Sequence, residues 1–430
     1  MIKLVGVLFT VIITSFYFFP FEFSFLPGVN TKMVLAGISL LVLGIQLGKK
    51  QQSEIDKDIF FLSGIAAVFS LITLLSVVLN GTNDYTYVTY IISMWVWMGG
   101  AYLTTQLIKS VHGHLSIELI CNYLILVCVM QCLLAYSMVL IPSIKDFVDS
   151  FLGGSGFMGK NETRMYGIGA ALDVAGSRFS VILVMISYLS VQASSLKRNS
   201  EVWLYLMAFV IVSVIGNMMA RTTTIGVCLS LLYIVYACFF SKNKNIIHGF
   251  LSKVIVVFIL GTLLVFILYK INAEFHSNLR FAFEGFFSLA EKGKWEVHSN
   301  EILEDMYVLP DNLRTWLIGD GYLENPYNKD PYYVGRRFWG YYMGTDVGYL
   351  RFIFYSGLIS LLTFIFFMYR CAKVCIEKFE SYKLLFGMIL CINYIIWFKV
   401  SSDIFLVFAL FLCLNRDEVE SVDPHNYIEE

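Results

Sequence analysis

The sequence predicts an all-α polytopic membrane protein with about 12 transmembrane helices and one large, partly helical outer loop. Three observations predict it. The 430 residues are 58% hydrophobic and only 15% charged, where soluble domains carry roughly 25% charged residues. Mean hydropathy is +0.71. The apolar residues also come in long unbroken runs, and twelve crossings of about 20 residues each would use close to the observed hydrophobic share. Such runs are too long and too uniformly apolar for the alternating ten-residue segments, roughly, of a β-barrel. A net charge of −1 with no basic tail offers no bulk attraction for nucleic acid.

The runs fall at 4–20, 33–48, 59–79, 86–108, 117–141, 172–193, 202–219, 222–240, 253–270, 346–369, 384–399 and 401–415. The polar junction Asn217 to Thr224 separates the seventh from the eighth, and Lys399, Ser401, Ser402 and Asp403 separate the last two. Cytoplasmic loops are enriched in Lys and Arg. Placing the N-terminus inside gathers Lys49, Lys50, Lys57, Lys109, Lys197, Arg198, Lys242, Lys244, Arg370, Lys373, Lys378 and Lys383 on inner loops, so both termini are expected in the cytoplasm. The first run reads as an uncleaved anchor, because no small-residue cleavage pattern follows Phe19-Pro20. Four regions result: 1–270 with nine spans and an outer loop at 142–171, an outer loop or cap at 271–345, three spans over 346–415, and a cytoplasmic tail at 416–430.

Seven of the nine cysteines fall inside these runs and Cys371 and Cys375 in an inner loop, so no disulfide is expected. No second Cys or His pair gives zinc spacing, no DxD motif occurs, and neither metal nor cofactor is expected.

On this topology about half of the basic residues face outward, concentrated in or beside the two long loops. The first loop is rich in glycine (Gly153, Gly154, Gly156, Gly159, Gly167, Gly169). A loop as long as the second is usually functional. The outer arginines are Arg164, Arg178, Arg221, Arg280, Arg314, Arg336, Arg337 and Arg351. Arginine suits phosphate because its planar fork stays charged and donates two parallel hydrogen bonds. Arg221 has no acidic residue within ten positions on either side, and an unpartnered cation at the membrane edge is a functional candidate. Arg178 and Arg351 have Asp173 and Asp346 five residues away and so admit internal ion pairs.

Four motifs recur in a recognisable order: Arg164-Met165-Tyr166-Gly167, Ala220-Arg221-Thr222, Asn278-Leu279-Arg280-Phe281 and Leu317-Ile318-Gly319-Asp320-Gly321-Tyr322. Thr345-Asp346-Val347-Gly348-Tyr349-Leu350 and Tyr355-Ser356-Gly357-Leu358 close the series. Together they resemble the O-antigen polymerase and O-antigen ligase superfamily, and within it the Wzy-type polymerases, over about residues 160–370. The resemblance implies a GT-C-like inner-membrane glycosyltransferase. Such an enzyme joins undecaprenyl-pyrophosphate-linked repeat units on the periplasmic face, without metal or nucleotide sugar. A chain-length regulator is a possible partner, and membrane lipid surrounds the protein. The resemblance also implies that Arg164, Arg221 and Arg280 hold the pyrophosphate leaving group. Ligase-type members carry a His where this chain has Asp346, which favours polymerase over ligase; a lipid-linked oligosaccharide flippase is the alternative outside the superfamily.

Pyrophosphate leaves readily, so charge stabilisation and positioning dominate the chemistry. Asp346 is the first choice for a base acting on the acceptor hydroxyl, with an N-cap as its structural alternative. Glu301, Glu304 and Asp305 are further acids. Arg178, Arg314, Arg336 and Arg337 are additional substrate-binding candidates. Tyr322 and Tyr349, with Tyr327, Tyr332, Tyr333, Phe338, Trp339, Tyr341 and Tyr342 nearby, offer either sugar-stacking faces or an interfacial belt.

Overall fold

The structure, a computed structural model, describes residues 2–48, 56–153, 164–240, 244–329, 333–338 and 340–416. Among them every regular element is helical. In chain order these are α1 (Ile2–Phe18), α2 (Thr31–Gly48), α3 (Lys57–Asn80), α4 (Tyr90–His112), α5 (Ile117–Leu140), α6 (Pro142–Phe151), α7 (Leu172–Ser195), α8 (Asn199–Met219) and α9 (Thr223–Phe240). There follow α10 (Lys244–Ile271), α11 (Ala273–Ala282), α12 (Glu284–Lys292), α13 (His298–Asp305), α14 (Leu313–Ile318), α15 (Pro326–Lys329), α16 (Gly348–Lys378), α17 (Lys383–Ile396) and α18 (Phe405–Leu412).

Seven of them, α3, α5, α7, α8, α9, α10 and α16, are long and apolar enough to cross a membrane; this is a multi-pass helical membrane protein. The last two predicted runs form α17 with 14 residues and α18 with 8, short of the roughly 20 that a crossing needs. All of α18 is buried, so that run takes its apolar character from the protein interior. One assignment is corrected. Cys371 and Cys375 lie on α16, both buried, because that helix continues past the predicted end of its span to Lys378. The tail beyond 416 and Gly154, Gly156 and Gly159 lie outside the described residues.

The chain forms two compact units: Met1–Leu35 with Leu103–Trp295 and Leu414–Glu430, and Ala36–Tyr102 with Glu296–Cys413. The 271–345 segment is therefore divided after Trp295.

In the first unit α7 is the central helix, almost wholly buried and packed on both α8 and α9. Small residues bring α9 close to α7: a Cβ on Gly226 would stand 2.3 Å from the Ser180 Cα. Membrane helices associate through such close approaches, together with hydroxyl hydrogen bonds. Ser180 supplies one, donating to the Thr222 carbonyl at 2.9 Å, while its Oγ accepts from the Gly226 N–H at 3.1 Å.

In the second unit α16 packs on α3 around stacked rings of Phe69, Phe352, Phe364 and Trp397. α16 is broken at Ser356 and Gly357, where Gly357 has φ 78° and ψ −179°. A break frees backbone carbonyls that must find donors away from water. The segment after α14 supplies them: the Asp320 N–H donates to the Phe354 carbonyl at 2.6 Å and the Gly321 N–H to the Tyr355 carbonyl at 3.0 Å. Ser76 of α3 donates to the same Tyr355 carbonyl at 2.8 Å. Asn80 and Thr82 donate to the carbonyls of Gly319 and Gly321 at 3.0 and 2.8 Å. The Gly-Asp-Gly motif is thus the splice that fills the helix break.

Asp84 fastens the same segment from the α3–α4 connection. Fully buried, its carboxylate accepts from the backbone N–H groups of Leu323 and Glu324 at 2.9 and 3.0 Å and from that of Thr86 at 3.1 Å. Asp84→Ala strands these donors, each worth about 1–3 kcal/mol when buried and unmet. The expected result is a loss of about 3 kcal/mol or more, read as a lowered thermal midpoint in detergent; an unchanged midpoint would contradict the fastening role.

Candidate functional site: an arginine pair on Phe281

The first unit assembles its site at the short α8–α9 junction. Ala220, Arg221 and Thr222 separate the helices, and hydroxyl side chains satisfy the exposed backbone ends. Thr223 donates to the Gly216 carbonyl at 3.1 Å, and Thr224 to the Asn217 Oδ1 at 2.7 Å. Thr222 donates to the Asp173 carboxylate at the start of α7. The run of three threonines is therefore what holds the junction rigid and presents Arg221.

Arg221 is mostly buried and is held on three sides by the end of α11 and the start of α12. Nε donates to the Phe281 carbonyl at 2.9 Å, one of the carbonyls a helix leaves open at its C-terminus, where a cation is favoured. Nη2 stands 2.6 Å from Glu284 Oε2. The guanidinium lies over the Phe281 ring, 4.1 Å from its centroid. Burial pulls the Arg221 pKa down, the Glu284 carboxylate pulls it back up, and the like charge of Arg164 adds to the fall. Glu284 lies 63 residues along the chain, so the absence of a local acid around Arg221 concealed its partner.

Arg164 joins it. Its half-buried guanidinium lies over the same Phe281 ring at 5.1 Å and makes no ion pair among the described residues. The motif behind it is anchored twice. The Tyr166 hydroxyl donates to both Asp149 oxygens at 2.8 and 2.9 Å. Gln131 of α5 accepts from the Ile168 N–H at 2.9 Å and donates to the Ile168 carbonyl at 3.0 Å. Gly167 is required there, since a Cβ would meet Gln131 Oε1 at 2.3 Å. Two cations therefore share one ring while Glu284 pairs with Arg221 alone, and two neighbouring guanidiniums suit an oxyanion.

The other predicted site residues are placed differently. Arg280 is half-buried and engaged elsewhere: its fork binds both oxygens of Glu291 at 2.7 Å and its charge lies 4.9 Å over the Phe287 ring. That pairing holds its pKa above the usual arginine value, with Tyr269 adding to the rise. Arg178 is buried in α7 beside the Phe18 and Phe19 rings at 5.9 and 5.4 Å.

In the second unit Arg314 donates to Asn80 Oδ1 at 2.7 Å, closing the C-terminus of α3. Arg337 lies 4.8 Å over the Tyr327 ring, and Arg336 is exposed. Tyr349 donates to the Tyr394 carbonyl at 2.9 Å and packs on Trp397 and Phe398, a structural placement. Tyr322 packs against Tyr333 and Tyr342, so these rings form one cluster, with the Tyr342 hydroxyl donating to Asp320 at 3.1 Å. Burial, reinforced by Asp320, pushes the Tyr342 pKa up. Asp346 is half-buried, and the N-cap reading of it is corrected. The cap position of α16 is Val347, without a side-chain cap bond, and Thr345 Oγ1 accepts from the Val347 N–H at 3.2 Å. Glu301, Glu304 and Asp305 lie on α13, none of them buried. Tyr332 and Trp339 lie outside the described residues. No group of His, Cys, Asp and Glu able to hold a metal occurs among the described residues.

Sequence reasoning missed Phe281, Glu284, Asp149 and Gln131. Gln131 carried a signal as one of two amides, with Asn122, in the apolar run 117–141, and Phe281 only as part of the motif around Arg280. Comparison with protein-family models, with curated proteins and with solved structures finds no match to this chain.

Proposed function

We propose that this protein is a Wzy-type polymerase of the bacterial inner membrane, joining undecaprenyl-pyrophosphate-linked repeat units into O-antigen or a similar polysaccharide on the periplasmic face. The observation that carries the reading is the convergence of Arg164 and Arg221, distant in sequence, on Phe281. A pyrophosphate oxygen would take the place of the Glu284 carboxylate on Arg221 and meet Arg164 beside it. The transferring anomeric carbon would then lie next to a leaving group whose developing charge two preset guanidiniums stabilise. The acceptor hydroxyl attacks that carbon, the anomeric C–O bond to the pyrophosphate breaks, and the hydroxyl proton passes to a base. Cytoplasmic termini belong to the same proposal, as does a chain-length regulator as partner.

Deleting the gene and separating the surface polysaccharide on a gel tests this reading. The expected result is loss of the ladder with a single repeat unit retained. Total loss of polysaccharide would point to the ligase or flippase reading instead, and an unaltered ladder would overturn all three.

A further inference from the structure

Arg351 stands apart from the arginines described so far. It occupies the first turn of α16 and is only 7% exposed. A cation buried to that extent costs several kcal/mol, about, unless a counter-charge or a set of acceptors meets it. Among the described residues none does. No carboxylate stands within ion-pair distance, Asp346 included, and Nε is buried without a hydrogen-bond partner. The guanidinium lies over the Tyr341 ring, 3.4 Å from its centroid, and Tyr341 is itself 36% exposed. Tyr341 is thus a cover with one side on the charge and the other at the surface. The Tyr87 ring stacks on Phe352, the next residue along α16, with centroids 4.9 Å apart.

A stacked, desolvated guanidinium with unused donors has the chemistry of an anion receptor lacking its anion. One cation under a neutral ring matches a single negative charge. A dianion would leave charge uncompensated. We propose that Arg351, covered by Tyr341, receives a singly charged oxyanion, a carboxylate or a phosphodiester, from outside the chain. Two sources present that chemistry: a hexuronic acid residue of a glycan and the headgroup of an anionic phospholipid. The inference stands on the second unit alone and is independent of the polymerase reading.

Thermal midpoints of the purified full chain distinguish the sources. In neutral detergent, glucuronate is compared with glucose; in nanodiscs, phosphatidylglycerol is compared with phosphatidylcholine. The wild type is expected to gain stability with one anionic member and not with its neutral match. A response to glucuronate identifies a glycan carboxylate, and a response to phosphatidylglycerol identifies a lipid. Arg351→Met is expected to raise the midpoint without ligand, since it fills similar volume without a buried charge, and to abolish the anion response. Tyr341→Ala, a surface change that folding tolerates, is expected to raise the half-saturating concentration of the anion several-fold by letting water reach the guanidinium. No anion-specific rise in the wild type would overturn the proposal. So would an Arg351→Met protein that is less stable or still responds, or an unchanged half-saturation in Tyr341→Ala.

Discussion

Arg221→Ala is expected to collapse the surface polysaccharide to a single repeat unit while the protein still accumulates in the membrane. The guanidinium is aimed by four independent constraints: the threonine-satisfied junction, the Phe281 carbonyl, the Phe281 ring and Glu284. Removing a preset donor from a developing oxyanion typically costs 10²- to 10³-fold, roughly, in rate, enough to turn a ladder into one band. Arg221→Lys is expected to retain only part of the activity, because an ammonium cannot bond the Phe281 carbonyl and an oxyanion in one plane. Arg280→Ala is expected to be milder, since the Arg280 fork is taken by Glu291. Glu284→Gln separates substrate binding from structure: it removes the carboxylate with which a phosphate would compete, and polymer should persist. A full ladder in Arg221→Ala would refute the pyrophosphate role of this pair. An Arg280→Ala defect as deep as that of Arg221→Ala would show that Glu291 releases Arg280 for the proposed transfer.

Gly357→Ala is expected to have the largest effect on stability. At φ 78° and ψ −179° the backbone occupies a region essentially restricted to glycine, costing any other residue about 1–3 kcal/mol. The added Cβ would also stand 2.1 Å from the Leu317 carbonyl oxygen. Either the break in α16 or the splice segment must move, and the hydrogen bonds from Asp320 and Gly321 go with it. Strain and lost bonds together exceed about 3 kcal/mol. Gly64→Ala is the matched control: Gly64 lies within α3 with nothing within 4 Å of its Cβ position, where alanine is favoured by about 0.5–1 kcal/mol. The thermal midpoint in detergent should fall sharply for the first and hold or rise for the second. Equal midpoints would mean that the break in α16 is plastic.

How much of this was legible in the sequence differs by feature. The long apolar runs announced α3, α5, α7, α8, α9, α10 and α16 because crossing length and apolarity are properties of a contiguous segment. The same signal could not tell a lipid-facing helix from a buried one. α10 carries no buried residue in its apolar window and α18 is buried throughout, yet both read as the same kind of run. The break at Ser356-Gly357 was visible only as a motif, because a lone Ser-Gly pair inside an apolar stretch says nothing about which distant segment will fill the gap.

The site divides along the same line. The distribution of arginines gave eight outward candidates and singled out Arg221 by the lack of an acid nearby in sequence, whereas Arg164 and Arg280 came forward only through the motif resemblance. Their meeting on Phe281, the pairing of Arg221 with Glu284 and the diversion of Arg280 to Glu291 were decided by the packing of α11 and α12 in the first unit. By itself the sequence determined that this is a helical membrane protein whose arginines concentrate outside its apolar runs. Only the tertiary structure decided which partners each of those arginines meets. Membrane insertion sums local transfer free energies along one segment, whereas a guanidinium's partner is set by side chains that the chain brings together from 60 or more residues away.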